Sequence, residues 1–165
     1  RGGQFEPAHT GYLERFFHID YLQLVSNSRN GMNREQQVGD IARRLKNIAK
    51  ETGITVVLLS QLSRDKLRPR PSLPRLRDSG QIEEAADQVI FVYRPEFYGI
   101  EYFNEPFEMT QTKGKAEIII AKGRNIGITA FIVNFDFEHT EFTDYDSFEA
   151  NPVQLESPCK MKCEF

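Results

Sequence analysis

The run Phe16-Phe17-His18-Ile19-Asp20 places a carboxylate directly after a short apolar stretch. A buried strand that ends in aspartate is how nucleotide-hydrolysing folds hold magnesium, usually through a bound water. A second apolar run, Thr55-Val56-Val57-Leu58-Leu59, is followed by Ser60, Gln61, Ser63 and Arg64. If the two runs are parallel strands, Asp20 and Gln61 share the carboxyl edge of one sheet, the edge where open α/β sheets bind ligands. Further along, Lys122 and Arg124 flank Gly123 between two more apolar runs, at 115–122 and 128–135. They are either exposed charges on a hairpin turn or cations delivered to an anion.

The elements that must position these groups are legible in outline. Residues 26–33 are turn formers, and a helix follows. Asn33 with Gln36 resembles a capping box, and Gly53 stands where a C-terminal cap belongs. Val38, Ile41, Leu45, Ile48 and Ala49 form one apolar stripe at helical spacing, with Arg43, Arg44, Lys46 and Lys50 elsewhere on the surface. Strand, helix and strand make a parallel α/β unit with a right-handed crossover. Asp78 with Gln81 caps a short helix through Ala86, and residues 88–93 form a third buried strand. Residues 94–114, rich in aromatics and acids, read as a surface excursion. The five residues around Gly127 link two strands into a hairpin.

The net charge is −3 and unevenly spread. Residues 64–77 hold Arg64, Lys66, Arg68, Arg70, Arg75 and Arg77 against Asp65, a local +5, leaving −8 for the rest. Pro69, Pro71 and Pro74 stiffen that segment and exclude regular structure from it. A basic island on an acidic chain points to a local anionic partner, or else to a solvated arginine-rich loop. No apolar run approaches the roughly 18 residues of a membrane span, and no signal peptide opens the chain, so a cytoplasmic location is expected. Cys159 and Cys163 lie near the C-terminus, with His9, His18 and His139 far from them, and no four-ligand zinc pattern results. At 165 residues the chain is the size of one domain. It divides into a lead-in at 1–14, an α/β domain at 15–137 and an acidic tail at 138–165.

Four of these segments resemble, in order, the motifs of the C-terminal motor domain of DnaB-type replicative DNA helicases. Ile19-Asp20-Tyr21-Leu22-Gln23-Leu24 looks like the family's Walker B motif, and Leu59-Ser60-Gln61-Leu62-Ser63-Arg64 like the motif after it. Residues 76–87, beginning Leu76-Arg77-Asp78-Ser79-Gly80-Gln81, are similar to its DNA-binding motif. Ala121-Lys122-Gly123-Arg124-Asn125 resembles the Lys-x-Arg-Asn element that completes a neighbouring subunit's site.

The resemblance implies a three-layer RecA-like P-loop NTPase fold with a C-terminal β-hairpin. It also implies a hexamer that hydrolyses ATP with Mg2+ while moving on single-stranded DNA, and primase and a helicase loader as partners. Asp20 would hold the magnesium of the bound nucleotide, and Gln61 would sense the γ-phosphate. Arg77, Asp78 and Gly80 would approach the DNA backbone. Lys122 and Arg124 would reach across a subunit boundary, Arg124 as the arginine finger. Asp78 stands where the family commonly has Glu, and it serves equally well as a helix N-cap. Ile126-Gly127-Ile128-Thr129 replaces a more usual Gly-Pro-Thr-Gly, so the turn carrying Arg124 is expected to differ in shape.

One family element has no counterpart: no Gly-x-x-x-x-Gly-Lys-Ser/Thr loop occurs. That loop is expected to lie before Arg1, so the RecA-like fold would be incomplete and this segment alone would not hydrolyse ATP. Strands 55–59 and 88–93 would then lose a shared neighbour and pair with each other or with another copy. Two other functions fit the residues less fully. One is a non-hydrolysing module that binds single-stranded DNA through the basic loop and Arg77; the other is a RecA-like recombination or clock-type ATPase.

Overall fold

A computed structural model describes residues 16–22, 34–63, 69–76, 79–145 and 153–155. The first expected unit is present. Strand β1 (Phe16–Ile19) pairs in parallel with β2 (Thr55–Leu58), Phe16 opposite Thr55 and Ile19 opposite Leu58. Helix α1 (Arg34–Thr52) makes the crossover between them. Gly53 ends it in the left-handed region at φ 67°, its N–H donating to the Ala49 carbonyl, a conformation that glycine adopts without a Cβ penalty. The proposed cap at Asn33 lies outside the described residues.

The apolar stripe of α1 is buried where it meets other elements. Val38, Ile41 and Ala42 are buried, whereas Ile48, one turn beyond Leu45, is 45% exposed. Val38 and Ile41 pack with Leu22 and with Ile82 of the short helix α2 (Ser79–Ala85), forming a small core over β2. Gly39 sits beneath Gln81 of α2, and the missing side chain lets the two helices approach.

A larger core lies against an antiparallel sheet. Strands β3 (Gln88–Tyr93), β4 (Lys115–Gly123), β5 (Thr129–Asp136) and β6 (Glu141–Asp144) follow one another in that order, and β7 (Val153–Gln154) pairs with β5. The expected hairpin is β4–β5, with Ile118 opposite Phe131. Strands β6 and β7 carry the sheet past residue 137, into the acidic stretch.

Three expectations are corrected. Strand β1 is not buried: with β2 its sole strand neighbour among the described residues, it leaves Phe16 and Phe17 each 52% exposed. Strand β3 is buried on one face only. Val89, Phe91 and Tyr93 point into the core, while Ile90 and Val92 are exposed, following the two-residue period of a strand with one covered face. Finally, of the two pairings expected for β2 and β3, the one with each other does not form within the chain. The chain beyond β2 bridges instead to Leu76, through Leu62, and β3 finds its partner in β4. The connection at 94–114 is also more than an excursion. Phe103 and Phe107 meet edge to face inside the larger core, and Thr112 is buried with its hydroxyl donating to the Ile100 carbonyl.

Candidate functional site

The parallel pair delivers Asp20 and Gln61 to one edge. Asp20 follows the last residue of β1, and Gln61 lies just past the end of β2. Hydrogen bonds from Leu59 N–H to the Ile19 carbonyl (3.0 Å) and from Leu22 N–H to the Leu59 carbonyl (2.8 Å) continue the ladder to that edge. Both side chains are exposed there. Among the described residues no three His, Cys, Asp or Glu side chains converge as a metal cage, at Asp20 or elsewhere. A single aspartate at an open edge suits magnesium, which keeps waters and takes its other ligands from nucleotide phosphates.

A pocket of about 260 Å3 is bounded by Leu62 and Ser63 after β2 and by Tyr93 and Arg94 at the end of β3; neither Asp20 nor Gln61 lines it. Burial pushes the Tyr93 hydroxyl above its ordinary pKa, with the Glu117 carboxylate adding to the effect. Arg94 stacks its guanidinium 3.9 Å from the centre of the Phe135 ring. Tyr93 and Arg94 did not stand out in the sequence, because pocket-lining depends on which strand ends meet.

The basic segment is partly consumed by the fold. The guanidinium of Arg75 donates to the carbonyls of Ser63, Pro69 and Arg70, and the Ser63 N–H and hydroxyl both donate to the Arg75 carbonyl. These bonds hold Ser63 against Arg75 and tie Arg75 back to Pro69 and Arg70. Arg70 forms a two-point ion pair with Glu117, whose side chain is 3% exposed. Two of the six cations therefore serve the loop's own geometry. Arg64, Lys66, Arg68, Arg77 and Asp78 lie outside the described residues. Gly80 is in the first turn of α2, exposed, with open space around it.

Lys122 and Arg124 are held together at the other end of β3. Register pairs Lys122 with Val89 and Gly123 with Gln88. The turn after β4 closes through a bond from Gly127 N–H to the Gly123 carbonyl, and a Cβ on Gly123 would lie 2.5 Å from the Gly127 oxygen. Glycine at 123 is therefore what allows Lys122 and Arg124 to flank so tight a turn. The Lys122 ammonium donates to the Glu83 carbonyl at the end of α2. Arg124 donates to the Glu84 carbonyl (3.1 Å) and meets the Asp87 carboxylate at 3.3 Å, with its side chain 51% exposed. Lys46 of α1 reaches the other oxygen of Asp87. The hydrogen bond from Lys46, followed by the positive charges of Lys46, Arg124 and Lys50, holds the Asp87 carboxyl below its ordinary value.

Leu62 and Ser63, just after Gln61, line the pocket at the Tyr93 end of β3, whereas Lys122 and Arg124 gather beside Gln88 at its other end. A strand of this length spans about 17–20 Å.

A parallel βαβ unit that presents an aspartate and a polar residue at its carboxyl edge, with an antiparallel extension carrying paired cations, fits a RecA-like fold in partial form. Comparison with known proteins makes the assignment specific. The chain belongs to the DnaB-like helicase C terminal domain family, which matches residues 11–144. It is 41% identical over 132 residues to the replicative DNA helicase DnaC of Bacillus subtilis, covering 78% of this chain and 27% of that protein. It is 39% identical over 132 residues to the replicative DNA helicase DnaB of Geobacillus stearothermophilus, again over 27% of that protein. Among solved structures, a DnaB-like replicative helicase, described with its interactions with primase, superimposes with a TM-score of 0.68 at 34% identity. That match covers 79% of this chain and 30% of the helicase. The chain spans about a quarter of the length of the curated relatives it matches. No helix among the described residues is long and apolar enough to cross a membrane.

Proposed function

We propose that this segment forms part of an ATP-driven motor that travels on single-stranded DNA and unwinds duplex, working as a ring of identical subunits, six in the full assembly. Primase and a helicase loader are its partners, in the cytoplasm. Asp20 holds the magnesium of bound ATP, and Gln61 reads the γ-phosphate at the same edge. Arg77, Asp78 and Gly80 meet the DNA backbone. Lys122 and Arg124 act on the nucleotide of the neighbouring subunit.

What supports the shared site is the separation along β3. Arg124 gathers at the Gln88 end of β3, whereas the residues just after Gln61 line the pocket at its Tyr93 end, and the Arg124 guanidinium is half exposed on a turn. Phosphoryl transfer spreads negative charge over the transferred group. A cation delivered from outside stabilises that charge, and the forked, permanently charged guanidinium suits the task better than an ammonium. The magnesium supplies charge neutralisation when bound; the chain's own part is to place a carboxylate, an amide and two cations around the phosphates.

The test is complementation in the intact protein. Arg124→Ala should lower the hydrolysis rate by about 10³–10⁵, as loss of an arginine finger does, with nucleotide affinity nearly intact. Asp20→Ala should be inactive too. Mixed rings of the two inactive variants should regain activity, because some interfaces then hold both native residues. Mixed rings as inactive as either parent would sink the shared site, and so would loss of nucleotide binding in Arg124→Ala.

A further inference from the structure

Helix α2 joins the two halves of the proposed machinery. Its first turn holds Gly80, next to the proposed DNA contacts. Its last turn receives Lys122 at the Glu83 carbonyl and Arg124 at the Glu84 carbonyl. Asp87, between α2 and β3, takes Arg124 twice, its backbone carbonyl accepting from the Arg124 N–H (3.1 Å) and its carboxylate from the guanidinium (3.3 Å). Lys46 braces the same carboxylate from α1, and Ile82 seats α2 on Val38 and Ile41. Seven residues of helix span only about 10 Å. A displacement imposed at one end of so short and well-seated a rod is felt at the other.

We propose that Asp87 is a positioning residue that fastens Arg124 to helix α2, so that engagement of Arg124 by a neighbour's phosphate is transmitted through α2 to the single-stranded DNA contacts at its start. The inference rests on the finger reading of Arg124 but adds a residue and a route that reading does not require. A guanidinium that simply projected into solvent could bind a phosphate without moving anything else in its own subunit. Here it leans on the C-terminal carbonyls of the helix that begins at the DNA motif. Any shift of Arg124 towards a phosphate must pull on, or release, that helix end.

The experiment measures single-stranded DNA affinity of the intact protein with and without a non-hydrolysable ATP analogue. Site-to-site coupling of this kind is typically about 5–150-fold, and the native protein should show a ratio in that range. In Asp87→Ala the ratio should fall to about one, while DNA affinity without nucleotide stays within about twofold of native. Asp87→Glu, which keeps a carboxylate within reach of Arg124, should restore most of the ratio. A native-like ratio in Asp87→Ala overturns the proposal. So does a ratio lost in both variants together with nucleotide-free DNA binding, since that marks a general loss of structure. Arg124→Ala separates this inference from the one beneath it. If that variant still hydrolyses ATP, the finger reading itself fails; if it is inactive but Asp87→Ala stays coupled, only the linkage through α2 is wrong.

Discussion

Breaking the Arg70–Glu117 pair should cost far more from one side than from the other. Glu117 lies in the middle of the sheet on β4, paired with Tyr93 and Ile132 on the flanking strands, and its side chain is 3% exposed. Arg70 meets it with Nε at 3.0 Å and a second nitrogen at 2.5 Å, and is itself 31% exposed. The hydrogen bond to Glu117 raises the Arg70 pKa, so the cation is charged at every working pH. Arg70→Met strands a carboxylate in the sheet interior, a loss of about 3–5 kcal/mol for a buried pair broken on one side. Water entering beside the partly exposed Arg70 position argues for the lower end, about 3 kcal/mol. Glu117→Gln keeps an acceptor oxygen and leaves a cation that can turn to solvent, at about 1–2 kcal/mol. Arg70→Met with Glu117→Met removes both charges and should return within about 1 kcal/mol of native stability.

Urea denaturation at constant slope reads all three variants as shifts in midpoint. The reasoning is refuted if Glu117→Gln costs more than Arg70→Met.

Two further outcomes follow from the helix contacts. Gly39→Ala would place a Cβ 2.6 Å from the Gln81 Cβ, so α1 and α2 must separate. Alanine's helix propensity gains about 1 kcal/mol, but overpacking costs about 1–3 kcal/mol, and the melting temperature should fall; a rise would show that the helices yield freely. Asp87 titrates below its ordinary 3.8, so its ionised form stabilises the fold fully above that value, and the contribution disappears as pH drops through the lower folded pKa. The gap in melting temperature between native protein and Asp87→Asn should accordingly stay constant from about pH 8 to 5 and close below about pH 4, whereas a gap unchanged at pH 3 would mean the carboxylate's charge is irrelevant there.

Local signals carried some parts of the fold to the page and left others unreadable. Gly53 announced the end of α1 because a left-handed cap is a local backbone requirement, and the β4–β5 hairpin announced itself through two apolar runs around Gly127. Asp20 and Gln61 were placed on one edge because strand, helix and strand in that order make parallel strands, which share a carboxyl edge. Asp87, Lys46 and Glu117 were not legible as a site. Their partners are 37, 41 and 47 residues away in sequence, and a lone charge beside an apolar run is the commonest sort of surface residue. The connection at 94–114 was misjudged for a related reason. Its aromatics have no period, so nothing local says that Phe103 and Phe107 face inward while Phe97 is 76% exposed.

The failed pairing of β2 with β3 has a cause that bears on function. The chain leaving β2 does not run straight on: Leu62 bridges to Leu76, the Arg75 guanidinium ties the neck shut, and Leu76 is buried in the larger core against β3 residues. Leu62 and Arg75 line one pocket together with Val92 and Tyr93 of β3, so this neck lies against the end of β3. It also joins the residue just after Gln61 to the residue just before Arg77, since the bridge runs from Leu62 to Leu76. The chain that carries the proposed γ-phosphate reader is thus fixed to the chain that enters the proposed DNA contacts. With Asp87 tying Arg124 to the far end of α2, the DNA motif is flanked by two anchors, one at its own chain's nucleotide edge and one at the contact offered to a neighbour.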